Sequence, residues 1–335
     1  MRSVYRYIII VVAVVIVVTA STLTVTLLQY GNATRDDRVR IGFFANVTHA
    51  PVLIAKANSI FEDELRGYKV EYKVFNAGPD AILALLTGNI DFAYVGPVPA
   101  LNAYIASKGS TKIIAGVAAN GAMLVVRDDI NSIYDMNGKV IGSPQYANTQ
   151  DVALKSYLAD NGIDAKVINA KNRELLLLLA NGYIDGAWVP EPWATRMLRY
   201  GKVLVDERSL WSDGIFATTV LVTTDDVIDD KREVVDGVLR AHIRSIKLME
   251  SDDEYTTIIE EIAELTGQRL DSDIVKNSLK NMRFTYEHMQ ESIQGYYEKG
   301  RRLGLITSNI NIHDIFYTEP LENLKGIRNN DKIKQ

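Results

Sequence analysis

The chain has 335 residues, of which 47% are apolar, 42 are acidic and 37 are basic, so the net charge is −5, and it contains no cysteine. This length suggests about two domains, and the acidic balance argues against a nucleic-acid-binding protein, which would carry a basic excess. The lack of cysteine excludes disulfides, thiolate zinc sites, a cysteine nucleophile and a lipidated cysteine anchor. The four histidines are dispersed without ligand spacing, so we expect no metal and no cofactor.

The first predicted element is a membrane-spanning helix from Tyr7 to Leu28, a run of 22 residues without a charge. A helix of this length covers roughly 33 Å, enough to cross the hydrocarbon core of a bilayer. Arg2 and Arg6 precede the run, so the positive-inside bias keeps the N-terminus in the cytoplasm. A cleaved signal peptide is the alternative, although its apolar region is usually shorter. Either way, we expect the functional part to begin near Val39 on the extracytoplasmic side of the cell membrane.

From Val39 onward, predicted strands and helices alternate, a pattern typical of mostly parallel sheets with helical crossovers. Strands are predicted at 39–44, 68–75, 90–95 and 112–118, with helices at 51–65, 79–87 and 98–107. The cycle repeats with strands at 122–126, 139–142, 166–169 and 184–189, and with helices at 149–160 and 172–181. After Trp211, a strand is predicted at 217–224 and mostly helical chain at 231–303.

One stretch of the sequence is nearly a copy of another. The pattern G-x-I-D-x-A-x-V occurs at Gly88–Val95 and again at Gly182–Val189, each time after a Leu-rich helix. Glycine ends the helix, and the apolar residues build the next strand. A chance match of five positions is the alternative to two lobes of similar topology.

The repeat predicts two lobes joined by two connections, which would form a hinge. The first lobe is discontinuous because the chain returns to it, and a helical C-terminal part follows. The predicted boundaries are an anchor and tether at 1–38 with a glycosylation sequon at Asn32, a first lobe at 39–120 plus 214–324, a second lobe at 121–213, and a polar tail at 325–335 that we expect to fray.

Candidate binding residues follow the ends of the predicted strands, where ligands bind in open α/β sheets. Several of these segments open a helix, whose free N–H groups favour an anion. No Arg or Lys lies in them, so we expect neutral donors rather than a salt bridge to hold the anion. The segments are Asn46–Pro51, Asn76–Pro79, Gly96-Pro97, Asn120-Gly121, Gln145 with Asn148–Gln150, and Pro190–Trp193.

Each of these residues also has a structural interpretation. His49 could cap a helix, Trp193 could belong to the core, and Glu191 could interact with a helix dipole. Asp91 and Asp185 could form a carboxylate pair, but their symmetric places at strand starts favour structural capping. No G-x-S-x-G, P-loop or strand-linked G-x-G-x-x-G motif is present, so we do not expect an enzyme.

Five segments together resemble the nitrate/sulfonate/taurine family of ABC-transporter substrate-binding proteins. They are GFFANVTHAPVLIA (42–55), VFNAGPDAILALLTGNIDFAYVGPVPALNAY (74–104), NTQDVAL (148–154), GYIDGAWVPEPWATR (182–196) and VLVDERSLW (203–211). The resemblance implies the type II periplasmic-binding-protein fold, in which two α/β lobes close on a ligand. It also implies delivery of the ligand to a membrane permease driven by a cytoplasmic ATPase. Matching the motifs implies ligand contacts at Thr48, His49, Gly78, Gly96, Pro97, Gly121, Asn148, Thr149, Gln150, Glu191 and Trp193.

The ligand implied by the resemblance is a small organic anion, and an alkanesulfonate or taurine is favoured. Trp193 favours an organic body over bare nitrate, and Glu191 favours an amine-bearing ligand. Nitrate, bicarbonate and a pyrimidine precursor of thiamine are the alternatives within the same fold. From other classes, a sensor ectodomain and a pyrimidine-synthase-like enzyme fit less well, the latter because it uses cysteines. We expect a monomer that binds no nucleic acid.

Overall fold

The computed structural model describes residues 37–76, 78–249 and 254–333, with side chains described to residue 326. In these residues the strands form a six-stranded and a five-stranded sheet. The predicted span Tyr7–Leu28 and the sequon at Asn32 lie outside the described residues. Among the residues that are described, no helix combines the length and the apolar character that a bilayer crossing needs.

The strands of each sheet follow from the alternating apolar runs. The first sheet contains β1 (Arg38–Phe43), β2 (Lys69–Val74), β3 (Phe92–Val95), β4 (Thr111–Asn120), β10 (Ala217–Thr224) and β11 (Met282–Phe284). The second contains β5 (Ala122–Val126), β6 (Val140–Ser143), β7 (Lys166–Asn169), β8 (Gly186–Pro190) and β9 (Lys202–Asp206).

The α-helices lie between the strands and, after β10, form most of the remaining chain. They are α1 (Ala50–Ala57), α2 (Ile60–Glu64), α3 (Gly78–Leu86), α4 (Pro97–Ala106), α5 (Thr149–Asp160), α6 (Asn172–Ala180), α7 (Trp193–Met197), α8 (Asp225–Asp230), α9 (Arg232–Leu248), α10 (Glu254–Thr266), α11 (Ser272–Lys280), α12 (Gln290–Arg302) and α13 (Glu319–Ile333).

The strand order confirms the internal repeat. It is β11-β4-β10-β3-β1-β2 in the first sheet and β7-β6-β8-β5-β9 in the second. The repeat consists of β1, β2 and β3 in the first sheet and of β6, β7 and β8 in the second. In each sheet its first strand lies between the other two. The parallel register aligns Gly42 with Ala93 and, equivalently, Gly142 with Ala187. We call 38–106 the first repeat unit and 140–197 the second, so that each includes the helix that follows its third strand.

Asp91 and Asp185 play the same structural part in the two units. The backbone N–H of Arg40 donates to Asp91 Oδ2 at 2.8 Å, and that of Val140 donates to Asp185 Oδ2 at 2.9 Å. Each carboxylate therefore ties the start of the third strand to the first. Asp91 is also paired with Lys231 at 3.2 Å. These contacts agree with the structural interpretation of both aspartates.

Both sheets are mixed, whereas we predicted mostly parallel ones. Strand β10 runs antiparallel to both β3 and β4, and β5 runs antiparallel to both β8 and β9. The strand that follows each passage between the sheets, β5 or β10, thus runs against the repeat unit of its sheet, which the strand–helix alternation did not reveal.

The chain passes between the sheets at two adjacent places. Strand β4 leads into β5 through Asn120 and Gly121, which have φ angles of 66° and 73°. The second passage lies between β9 and β10, where the backbone N–H of Phe216 donates to Asn120 Oδ1 at 3.1 Å. The Asn120 N–H donates in turn to Phe216 O at 2.8 Å. The two passages are therefore hydrogen-bonded side by side. The lobe boundaries at 120/121 and 213/214 stay a prediction.

Four elements differ from the predictions. The helix predicted at 51–65 is broken at Ser59, which has a left-handed φ of 51°. Strands β9 and β11 were not predicted. Residues 325–333, predicted as a polar tail, belong to α13, and the fraying expected of them stays a prediction. This helix is held by buried Leu321 and by a Lys325–Glu287 ion pair at 2.6 Å.

Candidate ligand-binding site

A cavity of about 710 Å³ lies among the loops that follow the strands of both sheets. Its volume is within the range of small-molecule sites, roughly 300–1,000 Å³. The residues that line it come from both sheets. Of the eleven predicted ligand contacts, eight line the cavity: Thr48, His49, Gly78, Gly96, Asn148, Thr149, Gln150 and Trp193. Pro97, Gly121 and Glu191 do not.

His49 is held as a neutral imidazole by the protein itself. Its Nε2 lies 3.2 Å from the carbonyl oxygen of Tyr94, which can only accept, so Nε2 carries the proton. Nδ1 then accepts from the hydroxyl of Thr48 at 3.0 Å. Burial lowers the pKa of His49 to about 3. The imidazole therefore offers the cavity a neutral ring and no cation.

Thr149 and Gly96 bring the two repeat units together at the cavity. The backbone N–H of Val98, in the first turn of α4, donates to Thr149 Oγ1 at 3.3 Å. Gly96, the residue before α4, has no side chain that could cap this helix, and Thr149 supplies the acceptor from the opposite sheet. A Cβ atom on Gly96 would lie 2.7 Å from Thr149 Oγ1. Only glycine permits so close an approach.

The loop that presents Asn148 to Gln150 is organised by a buried carboxylate. Asn148 caps α5 by accepting from Asp151 N at 2.9 Å. Asp151 is fully buried, and its carboxylate accepts hydrogen bonds from every side. The donors are Ser143 Oγ at 2.6 Å, Lys155 Nζ at 2.7 Å, Ala147 N at 2.8 Å and Asn169 Nδ2 at 2.9 Å. This network fixes the loop before any ligand arrives.

Glu191 is turned away from the cavity. It is fully buried, and Thr195 N and Thr195 Oγ1 donate to its carboxylate at 3.0 and 2.9 Å. Ser278 Oγ and Asn281 Nδ2 donate to it from the end of α11 at 3.2 and 2.7 Å. Because protein donors occupy both oxygens, Glu191 joins α7 to α11. The expectation that it favours an amine-bearing ligand has no support here.

Gly121 and Pro97, which do not line the cavity, have structural parts in the backbone. A Cβ atom on Gly121 would lie 2.6 Å from Met282 Cγ, and glycine adopts its φ of 73° without strain. Pro97 is the first residue of α4, where the absence of an N–H costs nothing. Both residues shape the edge of the cavity from outside it.

Three cationic side chains that we did not predict line the cavity: Lys171, Arg173 and Arg196. The expectation of a site without Arg or Lys is therefore wrong. Lys171 and Arg173 flank Asn172, where α6 begins, and Arg196 lies on α7. The internal repeat could have identified Lys171 and Arg173. Helix α6 is the equivalent in the second unit of α3, which begins at the predicted contact Gly78 in the first unit.

Arg196 interacts with the Trp193 ring and with the charge of Arg173. Its guanidinium lies 4.4 Å from the centre of the Trp193 ring, a cation–π contact. Burial lowers the pKa of Arg196, and the like charge of Arg173 lowers it further. Among the described residues, no carboxylate forms an ion pair with Lys171, Arg173 or Arg196. Three positive charges thus line one side of the cavity, and the Glu174 carboxylate at the same helix start accepts from Lys171 N at 3.2 Å.

Comparisons with known proteins identify relatives of most of the chain. Residues 32–265 match the model of the NMT1-like family. The taurine-binding periplasmic protein of Escherichia coli (strain K12) is 27% identical over 197 residues, which are 58% of this chain and 61% of that protein. The chain thus spans about three fifths of the length of this curated relative.

Two solved structures have the same fold. The alkanesulfonate-binding protein SsuA from Xanthomonas axonopodis pv. citri, bound to MOPS, has a TM-score of 0.71 and 17% identity, covering 85% of this chain and 100% of that one. The periplasmic nitrate-binding protein NrtA from Synechocystis PCC 6803 has a TM-score of 0.71 and 13% identity, covering 87% and 89%. These likenesses establish the two-lobed periplasmic-binding-protein fold.

Proposed function

The chain belongs to the NMT1-like family, and from that membership we propose that it is the solute-binding component of an ABC importer. The resemblance to the nitrate/sulfonate/taurine family noted in the sequence is confirmed by this match and by the taurine-binding relative. In this function the two lobes capture a small organic anion, an alkanesulfonate or taurine, on the extracytoplasmic side of the membrane. A permease then receives it.

The positive charge that lines the cavity carries this proposal. Arg173 and Arg196 both line it, and the like charge of Arg173 adds to burial in lowering the pKa of Arg196. An anion beside both guanidinium groups would offset this repulsion while accepting charge-assisted hydrogen bonds. A sulfonate has three oxygens for such donors and stays ionised at every physiological pH.

The first repeat unit supports the same ligand by supplying neutral groups. His49, Gly78 and Gly96 line the cavity without charge. The ligand's anionic end would lie on the second unit and its organic part on the first. Bare nitrate would leave most of a 710 Å³ cavity to water.

Calorimetric titration of the full chain tests the proposal. Ethanesulfonate, taurine, nitrate, bicarbonate and an aminopyrimidine are compared under the same conditions. We expect the two sulfonates to bind more tightly than the other three ligands. Binding of nitrate, bicarbonate or the aminopyrimidine without the sulfonates would make the sulfonate assignment wrong, and binding of none of the five would contradict the function itself.

Two variants test whether the sulfonate binds in this cavity. Arg196→Gln removes a lining charge, and we expect it to weaken sulfonate binding at least tenfold. Arg199→Gln removes an exposed charge of the same helical region that does not line the cavity, and we expect no change. Equal losses in the two variants would place the sulfonate elsewhere.

A further inference from the structure

Helix α12 is packed along the second passage between the sheets, the segment between β9 and β10. Tyr296 OH donates to the carboxylate of the buried Glu207 at 2.6 Å. A Cβ atom on Gly295 would lie only 2.6 Å from Trp211 Cζ3, and Lys299 Nζ lies 3.7 Å from the centre of the same ring. None of these five residues lines the cavity. Helix α12 therefore contacts the passage at successive positions outside the candidate site.

The Trp211 ring is also held from its other sides. It stacks on Phe216, with ring centres 6.3 Å apart and ring planes 18° apart, and its centre lies 5.1 Å from that of the Tyr296 ring. Where the passage ends, Ala217 N donates to Ser292 Oγ on α12 at 2.7 Å. Because buried side chains are close-packed, we expect the passage and α12 to move as one body.

Helix α12 also joins the two repeat units. It packs on α4 of the first unit and on α5 of the second. Its last residue, Arg302, donates to Ser156 Oγ at 2.6 Å and to Asp160 Oδ2 at 2.9 Å, both on α5. Helices α4 and α5 are the pair that Val98 N and Thr149 Oγ1 connect at the cavity. Helix α12 thus contacts, from outside, the two helices whose first turns meet at the site.

We propose that α12 sets the separation of α4 and α5, and thereby the ligand affinity of a cavity that it does not line. A ligand held by both sheets binds the state in which these helices meet, so its apparent affinity falls with the fraction of molecules in that state. The contacts of α12 stabilise this state because they occur together with the Thr149 contact. Gly295 and Arg302 are therefore positioning residues. The inference rests on the proposed function for its ligand, whereas the separation itself can be measured without one.

Gly295→Ala is the most direct test, because the added methyl group meets the Trp211 ring. Overpacking at this contact displaces α12 from the passage, and we expect sulfonate affinity to fall about five- to tenfold although no cavity residue is changed. Gly326→Ala is the matched control, since Gly326 lies on α13 with no described atom within 4 Å of a Cβ atom there. It should leave the affinity unchanged in calorimetric titration of the full chain with ethanesulfonate.

A pair of spin labels measures the separation of the units without any ligand. Because the chain contains no cysteine, Leu83→Cys on α3 and Leu177→Cys on α6 give two unique labelling sites. Both leucines are exposed and lie outside the cavity. We expect Gly295→Ala to lengthen the mean distance between the labels, and Gly326→Ala to leave it unchanged. A purely structural role of Gly295 would lower stability without changing this distance.

Arg302→Gln gives a second variant if Gly295→Ala does not fold. It removes the contacts with α5 from an exposed position, and we expect about two- to threefold weaker binding together with a longer label distance. Arg301→Gln is its control on the same helix, because Arg301 donates to Thr307 O in the segment after α12. This control should leave both the affinity and the label distance as they are in the wild type.

The outcomes separate this inference from the proposed function. Unchanged label distances in Gly295→Ala and Arg302→Gln overturn the inference. Longer distances with unchanged or tighter sulfonate binding overturn the link between α12 and affinity, and the proposed function stands in both cases. If the wild type binds no sulfonate, the sulfonate function fails, whereas the label distances still decide whether α12 sets the separation.

Discussion

The two repeat units share a topology but face the cavity with different chemistry. In both, the third strand begins at an aspartate that accepts from the first strand, and a nine-residue helix begins at the cavity. Helix α3 starts at Gly78 and Pro79, whereas α6 starts between Lys171 and Arg173. The same scaffold therefore presents neutral groups on one side and positive charge on the other. Topology places the binding residues, and the residues at the helix starts decide what they bind.

The largest expected effect comes from removing the charge that distinguishes the second unit. The double variant Arg173→Gln, Arg196→Gln should weaken sulfonate binding about 100-fold or more, since hydrogen bonds to charged groups contribute about 1.5–3 kcal/mol each. Calorimetry measures the loss. Asp80→Asn, in the first turn of α3, is the control and should change affinity by less than about twofold. Wild-type affinity in the double variant would show that these two charges do not bind the sulfonate.

The shared aspartates should differ in their contribution to stability. The side chain of Asp91 is 8% exposed and is paired with Arg40 and Lys231, so Asp91→Asn should lower the free energy of unfolding by about 2–3 kcal/mol. The side chain of Asp185 is 18% exposed, and its ion-pair distances are 3.7 and 3.9 Å. Asp185→Asn should therefore cost only about 0.5–1 kcal/mol. Urea denaturation measures both, and equal losses would contradict this ranking.

The contact between the units should be sensitive to one added methyl group. Gly96→Ala places a Cβ atom against Thr149 Oγ1, and we expect about tenfold weaker ligand binding because the units can no longer approach so closely. Thr149→Val removes the acceptor for Val98 N and should act in the same direction, whereas Thr149→Ser keeps it. Scattering measurements with and without ligand would report the separation of the units. Unchanged affinity in Gly96→Ala would show that this contact does not contribute to binding.

The smallest expected effect is that of pH on affinity. Burial lowers the pKa of His49 to about 3, so this residue stays neutral from pH 8 to pH 5, and the arginines and a sulfonate stay charged. Sulfonate affinity should therefore be flat across this range in calorimetry. Stability should behave differently, because an unfolded histidine takes up a proton below about pH 6.5. The contribution of His49 to stability is lost as the pH falls from about 6.5 towards 3. A steep pH dependence of affinity would contradict a neutral imidazole at this site.

Much of the fold and part of the site could be predicted from local sequence. The G-x-I-D-x-A-x-V repeat predicted two similar units, and the ends of strands predicted eight residues that line the cavity. Glu191 could not be assigned in this way, because Ser278 and Asn281, which satisfy its carboxylate, lie far along the chain. Arg173 and Arg196 were missed because each lies a few residues beyond a strand end. Ile262 and Leu265 of α10 could not be assigned to the cavity, because their place there depends on tertiary packing.

The two fully buried glutamates after β8 have a consequence for how the molecule is made. Glu191 receives donors from Ser278 and Asn281, and Glu207 receives them from Trp188 and, at 2.6 Å, from Tyr296 OH. Before residue 296 has been synthesised, these carboxylates keep only the donors of Thr195 and Trp188. The native packing around β8 and β9 should therefore form only after Tyr296 has been added to the chain.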